Sequence, residues 1–182
     1  LLTPFLNAGI YYSLFHERLN AGYRFFKGIR ELGGSFALYY VLQTALLAAP
    51  LFWIVPHAGR MLAEAHDWPE LAKLAPVVAA YLLYAFLIRL PFLYLQFGKA
   101  DNRPPGSSLT LALKHFPPIV GLSVLTGLLS LAVSAVFVAA TFLWAGFWAL
   151  LIDQLYVFAR LFVGLWAIAS QFNLYTEKAR AA

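Results

Sequence analysis

Between Pro117 and Phe172 the chain carries only two charged residues, Asp153 and Arg160. A helix that crosses a bilayer needs about 20 predominantly apolar residues. The run is therefore long enough for two crossings back to back, with a tight reversal around the aromatic cluster Trp144, Phe147 and Trp148. The upstream sequence repeats the pattern with shorter polar interruptions. That constraint settles the class before any motif is considered.

Composition agrees. Hydrophobic residues make up 62% of the 182 and charged residues only 12%, against about 25% charge in an ordinary soluble domain. A soluble domain of this size has no interior large enough for that apolar surface, so the surplus faces lipid or neighbouring membrane subunits. The expected fold is all-α: a polytopic transmembrane helical bundle of about four complete spans. An N-terminal partial span and short interfacial amphipathic helices accompany it, in a single integral membrane domain covering 1–182. The chain has no cysteine, which excludes disulfides, thiolate metal sites and cysteine nucleophiles. Its net charge of +5 is scattered and fits membrane-flanking loops better than a nucleic-acid surface.

Taken in order, residues 1–15 read as the lower half of a span, ending in an interfacial belt of Tyr11, Tyr12 and Phe15. No basic segment or small-residue cleavage site precedes them, so no signal peptide is expected, and the chain reads as a fragment beginning inside an earlier span. Asn20 to Leu32 reads as a short amphipathic helix in the membrane interface. Its Arg24, Lys27 and Arg30 turn toward phosphates and Phe25, Phe26 and Ile29 toward lipid. Gly33-Gly34 is expected to break that helix, and Ser35 to cap a first complete span to about Val55, kinked at Pro50. A polar loop, His57 to Ala75, is expected to hold a short helix over Ala58–Ala65 and another beginning at Pro69.

The second span runs from about Pro76 to Phe97 and contains Arg89 and Pro91. An irregular loop over 98–106 follows, and Ser107 or Ser108 caps a short helix ending at Lys114, His115 and Phe116. Pro117-Pro118 opens the third span, to about Phe142, and the fourth continues to about Phe172, leaving 173–182 as a polar tail. Nine of the 13 Lys and Arg residues then fall on one side of the membrane, among them Lys114, and two on the other. The positive-inside rule puts the nine, and the C-terminus, in the cytoplasm, which for a bacterial protein means the inner membrane. A faint internal pseudo-repeat relates 20–97 to 107–172: Tyr84-x-Phe86 precedes Arg89 as Tyr156-x-Phe158 precedes Arg160.

Charged groups inside a bilayer each cost about 2.5–3.5 kcal/mol on insertion scales, so each demands a reason. Asp153 and Arg160 are seven residues apart and share a helix face, about 10 Å apart along the axis. One reading makes Arg89, Asp153 and Arg160 a polar site for an ion or an anionic lipid head group. The other makes them a structural ion pair plus arginines that snorkel to the phosphates. His57 and His66, nine apart, match no common metal spacing, and no histidine lies deep in a span to hold a haem, so no metal and no cofactor are expected. No nucleophile elbow, phosphate loop or dinucleotide fingerprint occurs. Along the third span, Gly121, Ser123, Gly127, Ser130 and Ser134 put small residues at spacings suited to close helix packing.

Over Tyr81 to Ala132 the chain resembles a bacterial family. Arg89-Leu90-Pro91, a polar break, Ser107-Ser108-Leu109-x-x-Ala112-x-Lys114 and a new span are similar to the membrane domain associated with glycerophosphodiester phosphodiesterases and its polytopic relatives. The resemblance implies a non-catalytic membrane module, because the family's phosphodiesterase chemistry resides in a separate soluble domain that this sequence does not contain. The functional expectation is a non-enzymatic membrane protein that packs against other subunits or a second copy of itself, as an accessory subunit or scaffold. The alternative is a transporter or lipid-handling protein built around Arg89, Asp153 and Arg160. Besides the bilayer, anionic lipid is the expected small partner, and nucleic acid is not expected.

Overall fold

The computed structural model describes residues 2–16, 18–64, 67, 72–144 and 146–180. Among these, every regular element is an α-helix: α1 (Thr3–Phe15), α2 (Ala21–Ala48), α3 (Leu51–Glu64), α4 (Ala75–Ala100), α5 (Pro105–Lys114), α6 (Phe116–Leu143) and α7 (Phe147–Arg180). Four stretches are long and apolar enough to cross a membrane, namely α2 together with α3, α4, α6 and α7. The expected helix beginning at Pro69, and His66, lie outside the described residues. The chain divides into two compact units, Leu1–Thr110 and Leu111–Ala182, with the boundary inside α5.

In the first unit, α1 runs antiparallel to α2 and is held by three glycines. A Cβ on Gly28 would lie 2.4 Å from the Tyr12 Cβ and 2.9 Å from the Ala8 carbonyl oxygen, and one on Gly9 would lie 2.6 Å from the Phe25 ring. At Gly33 the nearest atom would be the Phe5 ring at 2.9 Å. This overturns the expected break at Gly33-Gly34: α2 passes through both glycines without interruption, and Ser35 is an interior residue. Glycine weakens an isolated helix by about 1 kcal/mol, but in lipid a residue without a side chain lets two backbones approach, and that contact outweighs the propensity. The 20–32 segment is therefore the first turns of a long helix, with Gly28 and Leu32 buried in the unit.

The same close approach changes the expected aromatic belt. Tyr11 and Tyr12 are buried. Tyr11 meets Phe97 of α4 with ring centroids 4.9 Å apart and Phe36 of α2 edge-on at 5.7 Å, distances in the favourable aromatic range. The last turns of α4 supply the rest of this core through Leu90, Tyr94, Phe97 and Ala100. Asn20 starts α2, its side chain accepting from the Gly22 N–H at 3.1 Å, as an N-cap should.

Pro50 divides α2 from α3, as its sequence position predicted. The carbonyl of Leu46 lies four residues before Pro50, whose ring nitrogen has no hydrogen to donate. The Tyr84 hydroxyl of α4 supplies that bond at 2.9 Å, and the Tyr81 hydroxyl donates to the next carbonyl, Leu47, at 3.2 Å. The loop expected over 98–106 shortens to four residues because α4 continues to Ala100 and closes in a Schellman motif. Arg103 N–H bonds the Gly98 carbonyl (2.8 Å), Asn102 N–H bonds that of Lys99 (3.2 Å), and Asn102 takes the left-handed conformation at φ 56°. Neither Ser107 nor Ser108 caps α5. Pro105 opens it, and the Ser107 and Ser108 hydroxyls turn back to the Pro104 carbonyl.

The second unit is an antiparallel hairpin of α6 and α7, reversed through an extended Trp144 and a left-handed Gly146 at φ 71°. Near one end of the hairpin, buried Gln171 donates through Nε2 to the Ser123 hydroxyl (2.8 Å) and the Ile119 carbonyl (3.3 Å). Further along, the Ser134 and Tyr156 hydroxyls are 3.0 Å apart. The expected polar tail is instead the last turns of α7, which reaches Arg180. Gln171, Tyr175 and Ala179, four residues apart in turn, form a buried stripe along it.

Candidate functional site

Arg89 stands on α4 one residue before buried Leu90, and its own side chain is exposed. It lies 14 residues into the helix, about 21 Å from its start. In the second unit Asp153 and Arg160 are also exposed. They occupy one face of α7, about 9 Å and 20 Å from its first residue, and no ion pair joins them. The candidate polar residues are thus divided between the two units, Arg89 in one and Asp153 with Arg160 in the other.

Depth separates the three chemically. An arginine has a long aliphatic stem and can carry its guanidinium to the phosphates while the stem stays in lipid. Asp153 has one methylene. It sits below the aromatic girdle of Phe147 and Trp148, both exposed, with exposed Gln154 beside it. On a lipid-facing surface that carboxylate carries a solvation cost that an arginine can evade.

The small residues of α6 divide between two faces. Ser123 and Ser134 make the hydrogen bonds to α7 described above, and the Ser130 carbonyl accepts from the Ser134 hydroxyl at 2.8 Å. Gly121 lies on the opposite side and Gly127 one turn beyond Ser123 on the same side, and a Cβ built on either would meet nothing within 4 Å. Thr126, which the small-residue spacing did not single out, is buried and bonds back to the Leu122 and Ser123 carbonyls.

Among the expected interfacial cations, Arg30 and Lys114 are exposed and Arg24 and Lys27 half-buried. Lys27 is 3.7 Å from Glu31 and 5.9 Å from the ring centres of Tyr12 and Tyr23. It therefore bridges α2 to Tyr12 of α1. Among the described residues, no three His, Asp or Glu side chains gather closely enough to hold a metal ion.

Two features escaped sequence reasoning. The closest glycine contacts are on α1 and α2, at Gly9 and Gly28, and Gly28 has no small residue four positions away to announce it. The tyrosine ties at the Pro50 elbow had a signal: Tyr81 and Tyr84 are three residues apart on a helix following a proline that leaves a carbonyl unserved.

No family model, curated protein or solved structure matches this chain.

Proposed function

We propose that the chain is a non-enzymatic membrane subunit that packs against the helices of other membrane proteins, as an accessory or scaffolding component. The observation that carries this reading is the exposed Asp153 carboxylate, about 9 Å into α7, on spans that the chain itself covers very little. In the most apolar 18-residue window of each span, the buried share is 0% in α2–α3, 11% in α4, 6% in α6 and 6% in α7. The packed cores lie instead toward one end of each unit, around Tyr11, Phe36 and Phe97 in the first and Ile119 and Gln171 in the second.

Lipid can cover an apolar helix face, but a short carboxylate at the depth of Asp153 is best satisfied by a polar group on a partner helix. Gly121 and Gly127 add to this, as open notches where a second helix can approach. The resemblance to a non-catalytic membrane module points the same way. The alternative, a polar site around Arg89, Asp153 and Arg160, draws on residues of both units, each of them exposed. With nine of the 13 cations at one level, the proposed setting is a bacterial inner membrane with the C-terminus in the cytoplasm.

The test is purification in a gentle detergent with mass spectrometry of what stays bound, for the native chain and for Asp153→Asn. The reading expects a stoichiometric membrane-protein partner, or a second copy of the chain, which Asp153→Asn loses while keeping its helical content and melting temperature. A chain that purifies alone with a retained lipid or small anion would refute it.

A further inference from the structure

The elbow at Pro50 makes a cleft of about 500 Å³ between the start of α3 and the start of α4. The volume falls in the ordinary range for a ligand pocket, about 300–1,000 Å³. Its walls are Pro50, Trp53 and Ile54 on one side and Pro76, Ala80 and Tyr84 on the other. The polar atoms at the elbow are already committed to one another, since the Tyr81 and Tyr84 hydroxyls donate to the Leu47 and Leu46 carbonyls. What remains open to a ligand is hydrocarbon and aromatic ring.

The cleft continues into polar chemistry along one helix face. Trp53, His57 and Arg60 are spaced four and three residues apart on α3, so they stand above one another. The His57 ring stacks on the Trp53 indole, 5.3 Å between centroids and 7° from parallel. One turn beyond, the Arg60 Nε donates to the Pro56 carbonyl at 3.4 Å, which holds the guanidinium to this part of the helix. Arg60 is about 10 Å along the axis from Trp53, and Glu64 lies one turn further and bounds the stretch that can accept an anion. Apolar walls below, an aromatic step and a fork of N–H donors above match an amphiphile with an anionic head.

We propose that the Pro50 elbow binds an anionic phospholipid, with an acyl chain in the cleft and the phosphate at Arg60. Phosphate suits the guanidinium fork, and the acyl chain suits walls that offer no free donor. The inference is independent of the assembly proposed above, because it concerns a site within the first unit and holds for the isolated chain.

The test uses the full chain with Trp53 as its only tryptophan (W68F, W144F, W148F and W166F), in bilayer discs of phosphatidylcholine. Bromine-labelled phosphatidylglycerol or bromine-labelled phosphatidylcholine is mixed in, and quenching of Trp53 gives the relative affinity of the two lipids. A single cation at the membrane surface favours an anionic lipid about fivefold, and that is the expected ratio. Arg60→Gln should bring the ratio to about one, Arg60→Lys should keep most of it, and Ala80→Phe should reduce quenching by both lipids by filling the cleft. An equal response to both lipids in the parent chain would mean ordinary boundary lipid and would overturn the proposal. So would a preference that survives Arg60→Gln, quenching unchanged by Ala80→Phe, or no quenching by either lipid. The Arg60→Lys arm separates loss of charge from loss of fold.

Discussion

Gly28→Ala should destabilise the chain, although the same change in an open stretch of the same helix should stabilise it. Alanine is preferred over glycine in a helix interior by about 1 kcal/mol. At Gly28 the added methyl would sit 2.4 Å from the Tyr12 Cβ and 2.9 Å from the Ala8 carbonyl oxygen, both fixed to the backbone of α1. Neither can rotate away, so α1 and α2 must separate, and overpacking of this kind costs about 1–3 kcal/mol. The net expectation is a loss of up to about 2 kcal/mol. For a chain of this length, that lowers the melting temperature by up to about 8 °C.

Gly34, six residues on, has nothing within 4 Å of its Cβ position, and Gly34→Ala should raise the melting temperature. The other contacts rank between them. Gly9→Ala meets a half-buried Phe25 ring and the Phe25 carbonyl, and Gly33→Ala meets only the exposed Phe5 ring, which can swing aside. Thermal unfolding in one detergent, followed by loss of helical circular dichroism, gives the order directly. The expected order of stability is Gly34→Ala, Gly33→Ala, Gly9→Ala, Gly28→Ala, from most to least stable. A Gly28→Ala protein stabilised as much as Gly34→Ala would refute close packing of α1 on α2.

Three further perturbations test the other contacts. Tyr84→Phe removes the donor that serves the Leu46 carbonyl and should cost about 0.6–1.5 kcal/mol; in a Pro50→Ala background, where residue 50 regains its N–H, the cost should fall, and a cycle of the four proteins measures the difference. Gln171→Leu should destabilise the α6–α7 hairpin more than Ser123→Ala, because Gln171 keeps the Ile119 carbonyl when Ser123 is lost; equal effects in thermal melts would mean that the Ile119 bond contributes nothing. Asn102→Gly should be neutral or stabilising and Asn102→Ala destabilising by about 1 kcal/mol, since the residue stands at φ 56°; denaturant titration of the two variants reads the sign.

The spans were legible because lipid imposes a length and a composition on any helix that crosses it, and α4 and α6 each begin within one residue of where the sequence placed them, at Pro76 and Pro117. Pro50 was legible for a local reason, the missing N–H. Gly33-Gly34 was not, because a glycine pair signals either a break or a close approach, and only the presence of Phe5 and Tyr12 on a neighbouring helix decides between them. Tyr11 and Tyr12 failed for the same reason: an aromatic near a membrane border reads as a belt residue until a partner helix buries it. At the candidate site, the seven-residue spacing put Asp153 and Arg160 on one face, and they do share one. Which way that face points depends on how α7 rolls against α6, a choice made by the hydrogen bonds of Tyr156 and Gln171 to α6, which the hydropathy of α7 does not register.

The cost of Asp153 sets the size of the effect that assembly should show. Packing in lipid lacks a hydrophobic drive between helices, so the bare apolar faces of α6 and α7 are as well solvated by acyl chains as by protein. Asp153 is the exception, at about 2.5–3.5 kcal/mol on insertion scales. A partner helix that offers a donor recovers at most that amount, a preference for the complex of up to about two orders of magnitude. Asparagine at the same position removes the charge, which relieves the isolated chain and deprives the partner of its anchor. Asp153→Asn should therefore act with opposite signs: the isolated chain melts at the same temperature or higher, while its complex dissociates at lower detergent concentration. Melting of the isolated chain and dilution of the complex measure the two separately. If Asp153→Asn weakens the isolated chain instead, the carboxylate is stabilised within this chain, and the argument for a partner at α7 fails.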